Sequence, residues 1–140
     1  MDPFITWQEK GIASFVIPIP PRTKKNHSQI VMYGKRPKVM PSKQYLQYKK
    51  DAAPYVPSIG INEPVTVKAI FYMETRRKVD ISNLISALHD VLVDYECLED
   101  DNCRIIVSTD GSRVGYDKEH PRTEVTIIKL TGYEHPFDKK

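Results

Sequence analysis

A strand-like segment that leads, after a short basic run, into an amphipathic helix limits the fold of this chain more than any other feature. In residues 64–73 (PVTVKAIFYM) apolar side chains recur at every second position, as in a strand with one buried face. Residues 81–95 repeat apolar side chains every three or four positions, which places them on one stripe of a helix. Together the two segments predict a helix packed on a sheet.

The remaining segments predict further strands and one more helix. We expect strands at residues 11–19, 102–108 and 123–130, a hairpin-like loop around residues 29–33 with a turn at Gly34, and a helix from Lys43 to about Ala53 capped by Ser42; residues 109–122 are polar and typical of turns. This order predicts the α/β class (mixed α+β): one compact domain over residues 1–140, with a mixed sheet and two main helices. Residues 1–10 and 131–140 are expected to be peripheral or a tail.

Length and composition fit one globular domain that stays in the cytoplasm. A chain of 140 residues can bury roughly two-thirds of its unfolded surface. It has no apolar run near the roughly 18 residues that a membrane span needs, and no secretory leader pattern. Cys97 and Cys103 do not have the spacing of a zinc site, so reduced thiols are expected. We therefore expect no membrane association.

Positive and negative charges are separated along the chain. Residues 22–50 contain nine Lys or Arg and no acid, whereas ten of the 18 acids lie in residues 74–117. A basic segment beside an acidic one suits an enzyme that grips phosphates and holds a divalent metal against one of them. The alternative for the basic segment is an ordinary solvated surface.

Carboxylates flank the amphipathic helix on both sides. Asp80 precedes the helix, and Asp100 and Asp101 follow it. Mg²⁺ prefers oxygen ligands and usually takes one or two carboxylates together with water and phosphate. The alternatives are structural, with Asp80 as the helix N-cap and the other two as an acidic turn.

The two carboxylate positions are far apart along the chain. The helix would be roughly 21 Å long at about 1.5 Å per residue, and the six residues after it reach at most about 20 Å. Asp80 and Asp101 can therefore meet within one subunit only if the helix ends early or the chain doubles straight back. Otherwise a partner subunit must contribute to the site.

Four short motifs stand out along the chain. They are IPIPP at residues 17–21, followed by Lys25 and Asn26, and DISNL, HDVL and LEDD at residues 80–84, 89–92 and 98–101. Together they resemble the RusA family of Holliday junction resolvases. The resemblance extends from about Ser14 to Ile128. It implies a RusA-like fold and an endodeoxyribonuclease that nicks two strands of a four-way DNA junction symmetrically, in a bacterial or phage-infected cell.

The resemblance also implies a cofactor, partners and site residues. It implies Mg²⁺, with Mn²⁺ as a substitute, a homodimer, and branched DNA as the partner. The implied catalytic residues are Asp80, Asp100 and Asp101, and the implied metal ligands are these three with Asn83. The basic runs and the resemblance together predict DNA contacts at Lys24, Lys25, Asn26, Arg36, Lys38, Arg76, Arg77 and Lys78.

Two positions depart from the family's pattern. The family carries a second acid, in the order D-x-D-N-L, where this chain has Ser82, and a lysine one helical turn later where this chain has Ser86. Asp110 is a candidate to supply the missing negative charge. These departures leave open an alternative, a catalytically weakened or inactive protein that binds DNA junctions on the same scaffold. A third interpretation is a small α/β interaction domain whose aspartates only cap a helix and form a turn.

Overall fold

A computed structural model describes residues 8–24 and 29–138, and its centre is a five-stranded sheet. The strands of this sheet are β1 (Gln8–Ile17), β4 (Val65–Met73), β5 (Ile106–Ser108), β6 (Arg113–Tyr116) and β7 (Arg122–Thr131), and a separate pair is formed by β2 (Gln29–Tyr33) and β3 (Arg36–Met40). The strand order in the sheet is β1-β7-β4-β5, and β6 also pairs with β4. β1 and β4 run antiparallel to β7, whereas β5 and β6 run parallel to β4. The predicted single α/β domain with a mixed sheet is confirmed.

Within the described part of the chain, two α-helices complete the domain, as predicted. They are α1 (Lys43–Ala52) and α2 (Ile81–Asp94), and short 3₁₀ turns lie at Ala53–Tyr55 and Pro136–Asp138. Ser42 caps α1, because its Oγ accepts a hydrogen bond from the Tyr45 N–H at 3.1 Å. The prediction of this cap from the sequence is confirmed.

The centre of the core lies between α2 and β4. Leu84, Leu88 and Leu92 form the buried stripe of α2, and each is at most 1% exposed. They belong to one apolar cluster with the alternating side chains of β4, including Val67 and Phe71. Truncation of one such leucine to alanine typically costs about 2–5 kcal/mol of stability. This packing fixes α2 on the sheet and therefore fixes where Asp80 lies.

The strand boundaries differ from the prediction in three places. β1 covers Gln8–Ile17 where residues 11–19 were predicted: it begins within the segment expected to be peripheral, where it pairs with β7, and it ends before Pro18, which has no N–H for the sheet. β5 starts only at Ile106, because residues 102–105 form a turn in which the Ile105 and Ile106 N–H groups donate to the Asn102 carbonyl at 3.1 and 2.9 Å. β6 was expected to be part of a turn-rich connection, but it pairs with β4 from Ile70 to Met73. No residue of β6 is buried, so its sequence lacks the apolar alternation that reveals a strand.

Neither cysteine takes part in a disulfide, and their environments differ. Cys97 is buried and Cys103 is exposed. Burial raises the pKa of the Cys97 thiol to about 11, which keeps this group protonated and unreactive at neutral pH. None of the helices in the described part of the chain has both the length and the apolar composition that crossing a bilayer requires.

Candidate active site and nucleic-acid interface

Asp80 stands at the N-cap position of α2, yet its side chain does not cap the helix. The Asp80 backbone carbonyl accepts hydrogen bonds from the N–H groups of Asn83 and Leu84 at 3.1 and 3.3 Å, but its carboxylate makes no capping bond. Among the described residues, the only side chain that donates to this carboxylate is that of Asn83, whose Nδ2 lies 3.5 Å from Oδ2, at the outer limit of a hydrogen bond. The exposed carboxylate is therefore still available to a ligand.

Asp100, in contrast, uses both of its carboxylate oxygens within its own turn. One oxygen accepts a hydrogen bond from the Asn102 side-chain amide at 2.9 Å, and the other accepts one from the Asp101 N–H at 2.8 Å. These bonds, that of Asn102 first, hold the pKa of Asp100 below its usual value. The structural alternative considered for the acidic turn therefore describes Asp100 well. The neighbouring Asp101 is exposed and forms no ion pair with the described residues.

The chain reaches this turn by reversing its direction directly after α2. Glu96 takes a left-handed conformation with φ of 64°, and the N–H groups of Cys97 and Leu98 both donate to the Leu92 carbonyl, at 2.8 and 3.2 Å. The Ile61 N–H and carbonyl then bond to the backbone of Cys97 and Glu99, at 3.0 and 2.8 Å. The chain thus doubles back, which is one of the two routes by which Asp80 and Asp101 could have met.

The reversal brings Asp101 back only as far as the second half of α2. His89 lies close enough for the negative charge of Asp101 to oppose the lowering of the His89 pKa that burial causes, and Asp90 acts in the same sense. His89 follows Asp80 by nine residues, or about 13 Å along a helix axis. The charge of Asp101 therefore acts on α2 more than two turns beyond Asp80. The turn that carries Asp101 leads into β5, which pairs with β4 at Val65, whereas the loop to Asp80 begins at Met73, the other end of β4.

The predicted carboxylates do not form a ready metal cluster within one chain. Across residues 8–24 and 29–138, no group of three or more His, Cys, Asp or Glu side chains is placed to hold one metal ion. Asp80 and Asn83 do lie together, and Asp100 and Asp101 are adjacent. The structure thus gives two separate pairs of oxygen donors, on different parts of α2 and its C-terminal turn.

A polar cleft of about 240 Å³ lies beside the start of α2. Its walls come from residues 21–23, from the β4–α2 loop and from Leu84 in the first turn of α2. The loop contributes Arg77 and Lys78, two of the predicted DNA contacts, and the opposite wall contributes Arg22. Arg22 forms an ion pair with Glu74 at 2.7 Å. Sequence reasoning did not select Arg22, although it begins the basic segment at residues 22–50.

The predicted DNA-contacting cations differ in how the protein already uses them. Lys24 is ion-paired with Asp90 of α2. Arg76 lies over the ring of Tyr116, 4.7 Å from its centroid. Four other predicted contacts form no ion pair within residues 8–24 and 29–138: Arg36, Lys38, Arg77 and Lys78. Lys25 and Asn26 lie outside the described residues.

Asp110 does not lie near the end of β4 from which the loop to Asp80 begins. Its neighbour Gly111 lies against the Lys68 side chain, and the Ala69 N–H donates to Ser112 at 3.0 Å. This is the middle of β4, whereas the chain leaves β4 at Met73. The position gives Asp110 no evident means of replacing the acid that is absent at Ser82.

Comparison with known proteins identifies the family of the chain. No curated protein matches it. The family model for the endodeoxyribonuclease RusA matches residues 18–128, which is most of the chain and includes the cleft, α2 and the acidic turn. The chain therefore belongs to the RusA family of endodeoxyribonucleases, metal-dependent enzymes that act on four-way DNA junctions.

Proposed function

We propose that this protein is a Mg²⁺-dependent endodeoxyribonuclease that resolves four-way DNA junctions by paired, symmetric nicks. The observation that carries this proposal is the state of Asp80. The carboxylate of an aspartate at an N-cap normally accepts hydrogen bonds from the first backbone N–H groups of the helix. The carboxylate of Asp80 does not, and the residues just before it line a cleft that contains Arg77 and Lys78. A carboxylate left free beside such cations suits metal-assisted phosphate chemistry.

The donor atoms on this chain fit a hard divalent cation. Asp80 and Asp101 offer free carboxylates. A 180° flip of the Asn83 side-chain amide would exchange its Nδ2 and Oδ1, so that the carbonyl oxygen faces Asp80 and could bind the same metal ion. Asp100, whose two oxygens are used within the turn, would position Asp101 and would not itself be a catalytic acid or a metal ligand. When bound, Mg²⁺ or its substitute Mn²⁺ would polarise the scissile phosphate and lower the pKa of the attacking water.

A homodimer would supply the carboxylates that one chain keeps apart. The acidic turn leads into β5, which pairs with β4 at Val65, whereas Asp80 follows the other end of β4 at Met73. We infer that Asp80 and Asp101 of one chain do not share a metal ion. We propose that Asp80 of one subunit and Asp101 of the other form each metal site. A two-fold dimer then has two equivalent sites, which matches the two symmetry-related strands of a four-way junction.

The free cations would hold the DNA strands without reading their sequence. Arg77 and Lys78 line the cleft, in the loop that leads to Asp80, and Arg36 and Lys38 add two further cations without an acidic partner among the described residues, on the β2–β3 hairpin. Contacts of this kind go to phosphates and position the duplex, so junction shape decides recognition. We expect binding to weaken steeply with salt. We place this activity in the cytoplasm of a bacterial or phage-infected cell.

Cleavage of a synthetic junction tests the proposal. The purified protein is incubated with a labelled mobile four-way junction and with a matched linear duplex, in Mg²⁺, in Mn²⁺ or in EDTA. We expect paired nicks with 3′-hydroxyl and 5′-phosphate ends on the junction alone, and only with a metal. Tight junction binding with no cutting in either metal would contradict the proposal.

A second candidate function is junction binding without turnover, and the first two turns of α2 favour it. Ser82 and Ser86 are exposed there and replace the acid and the lysine of the family's pattern. A protein that lost both groups would still keep the cations of the cleft. The two functions are separated by the cleavage assay, whereas loss of salt-dependent junction binding would remove both.

A further inference from the structure

The β2–β3 hairpin has one apolar face and one face that is aromatic and basic. Residues paired across the two strands lie on the same face, and the faces alternate along each strand. The pairs Ile30–Val39 and Met32–Pro37 therefore share one face. The pairs Val31–Lys38 and Tyr33–Arg36 share the other, where Lys38 lies over the Tyr33 ring at 5.4 Å from its centroid.

The apolar face is uncovered within the described residues of the chain. Ile30, Met32 and Val39 are 74%, 61% and 71% exposed, whereas the leucines of α2 are at most 1% exposed. Tyr33, on the other face, is 75% exposed. Gly34, at φ of 63°, begins the tight turn that ends the hairpin and brings Lys35 to its tip. Exposed apolar side chains grouped in this way are typical of a binding surface.

The charge of the hairpin indicates what the apolar face meets. Residues 29–40 contain Lys35, Arg36 and Lys38 and no acid. None of these cations forms an ion pair with a described residue, unlike Lys24, Lys49 and Arg122. Two copies of the hairpin packed through their apolar faces would leave Arg36 and Lys38, on the opposite face, without a counter-charge. A polyanion carrying apolar surfaces is the better complement, and DNA bases displaced from their stack are such surfaces.

We propose that the β2–β3 hairpin enters the branch point of the junction and packs Ile30, Met32 and Val39 against bases unstacked there. Arg36 and Lys38, on the opposite face, hold the backbone of an adjacent strand. Apolar side chains such as Ile and Met inserted at a base step unstack it and bend the duplex. A branch point suits this insertion, because its bases have already lost part of their stacking. The inference rests on the proposed junction-resolving function and names the part of the DNA that the hairpin recognises.

The test uses a junction with 2-aminopurine at the branch point, whose fluorescence rises when the base unstacks. Binding is measured in EDTA, so the signal does not require cutting. We expect wild-type protein to raise the fluorescence severalfold. The double variant Ile30→Ser with Met32→Ser should lose most of this rise and should bind the junction about tenfold more weakly or worse, since removal of two apolar side chains from water contributes at least that much. Its affinity for linear duplex should not change.

Matched controls come from exposed apolar residues elsewhere. Tyr55 and Ile59 are 46% and 48% exposed and lie outside the hairpin, so Tyr55→Ser with Ile59→Ser should behave as wild type. Circular dichroism spectra of all variants are compared with that of the wild type to check that each variant is folded. The inference is overturned if wild-type protein binds the junction without raising the fluorescence, or if the hairpin variant matches the control. It is also overturned if the hairpin variant sediments as a smaller species, because the apolar face would then belong to a contact between copies.

Failure of the inference and failure of the proposed function give different results. A protein that cuts junctions in Mg²⁺ with no hairpin effect keeps the proposed function and loses this inference. A protein that neither binds nor cuts junctions loses both.

Discussion

The two carboxylate regions around α2 contain similar residues that the protein uses in different ways. At the start of α2, Asp80 leaves its carboxylate outside the helix cap. In the turn after α2, one carboxylate oxygen of Asp100 accepts a hydrogen bond from the Asn102 side chain and the other accepts one from the Asp101 N–H. The Asp101 side chain remains exposed. The difference teaches that a charged side chain is informative about function when its local structure has not already used it. The same distinction separates Lys24, which is paired with Asp90, from Lys38, which lies over the Tyr33 ring but has no acidic partner among the described residues.

The largest effect is expected from neutralising the two free carboxylates. Asp80→Asn and Asp101→Asn should each reduce junction nicking at least about a hundredfold, the scale on which loss of one electrostatic contact slows a reaction. Junction affinity in EDTA should stay within a few-fold of wild type, because the basic surface is unchanged. Asp110→Asn is the matched control and should cut normally. Cutting by Asp101→Asn at the wild-type rate would remove that residue from the metal site.

A smaller and conditional effect is expected at Asp100. Asp100→Ala removes both acceptors of the turn, and nicking should fall about tenfold to a hundredfold, as for loss of a residue that orients a ligand. Asp100→Asn keeps an oxygen for the Asp101 N–H and should recover much of the activity. Initial cleavage rates on one junction compare the two variants. Equal loss in both would show that Asp100 contributes its charge, and the contrast between Asp100 and Asp101 would be broken.

Restoring the absent acid should increase activity if it limits the reaction. Ser82→Asp places a carboxylate in the first turn of α2, two residues after Asp80, and we expect nicking to rise about tenfold or more at limiting Mg²⁺, since metal affinity increases with the number of charged ligands. Titration of the nicking rate against Mg²⁺ measures the change, and Ser82→Asn is the neutral control. An unchanged Mg²⁺ requirement would show that another group already fills this role.

The cations, like the carboxylates, should differ in their contribution to DNA binding according to whether the folded protein has already paired them. Lys38→Gln should lower the slope of log affinity against log salt by about one, as expected for the loss of one phosphate contact. Lys24→Gln should change this slope much less, because Asp90 already neutralises Lys24 in the free protein. Fluorescence anisotropy with one four-way junction in EDTA, at several salt concentrations, gives both slopes. Identical slopes for the two variants would show that DNA breaks the Lys24–Asp90 pair.

The smallest effect is a change in the titration of His89. Burial lowers the pKa of His89, and the charge of Asp101 opposes this lowering. The folded state therefore resists protonation, so stability present above the ordinary histidine pKa of about 6.5 is lost as the pH falls from there through the folded value. Asp101→Asn should lower the His89 pKa further, whereas Asp80→Asn should not. NMR titration of the imidazole measures this, and an equal shift in both variants would place the two carboxylates at similar distances from His89.

The sequence predicted the fold well where burial imposes a period on the chain. The alternation in β4 and the apolar stripe of α2 follow directly from their burial, and Ser42 follows from capping chemistry. β6 escaped prediction because it lies at the sheet surface with exposed side chains and no alternation. Local sequence signals are weak for an element that pairs through its backbone alone.

The candidate site was less predictable, because the pairing of charges depends on the folded chain. The sequence shows Lys24 and Asp90 as two charges 66 positions apart, and only the fold brings them together. Asp100 likewise looked equivalent to Asp101 until the hydrogen bonds of the turn separated their roles. The position of Asp101 relative to α2 depends on the chain reversal at Glu96, and no sequence motif predicts this reversal.

Activity of mixed dimers tests most directly the claim that each site combines Asp80 of one subunit with Asp101 of the other. Differently tagged Asp80→Asn and Asp101→Asn subunits are co-expressed and the heterodimer is purified. The account predicts that this heterodimer nicks one strand of the junction, because one site receives both intact residues. A heterodimer of wild type with the double variant should be inactive, because each site then lacks one of them. The reverse result, an inactive first heterodimer and an active second one, would show that each chain builds its own site and would contradict the account.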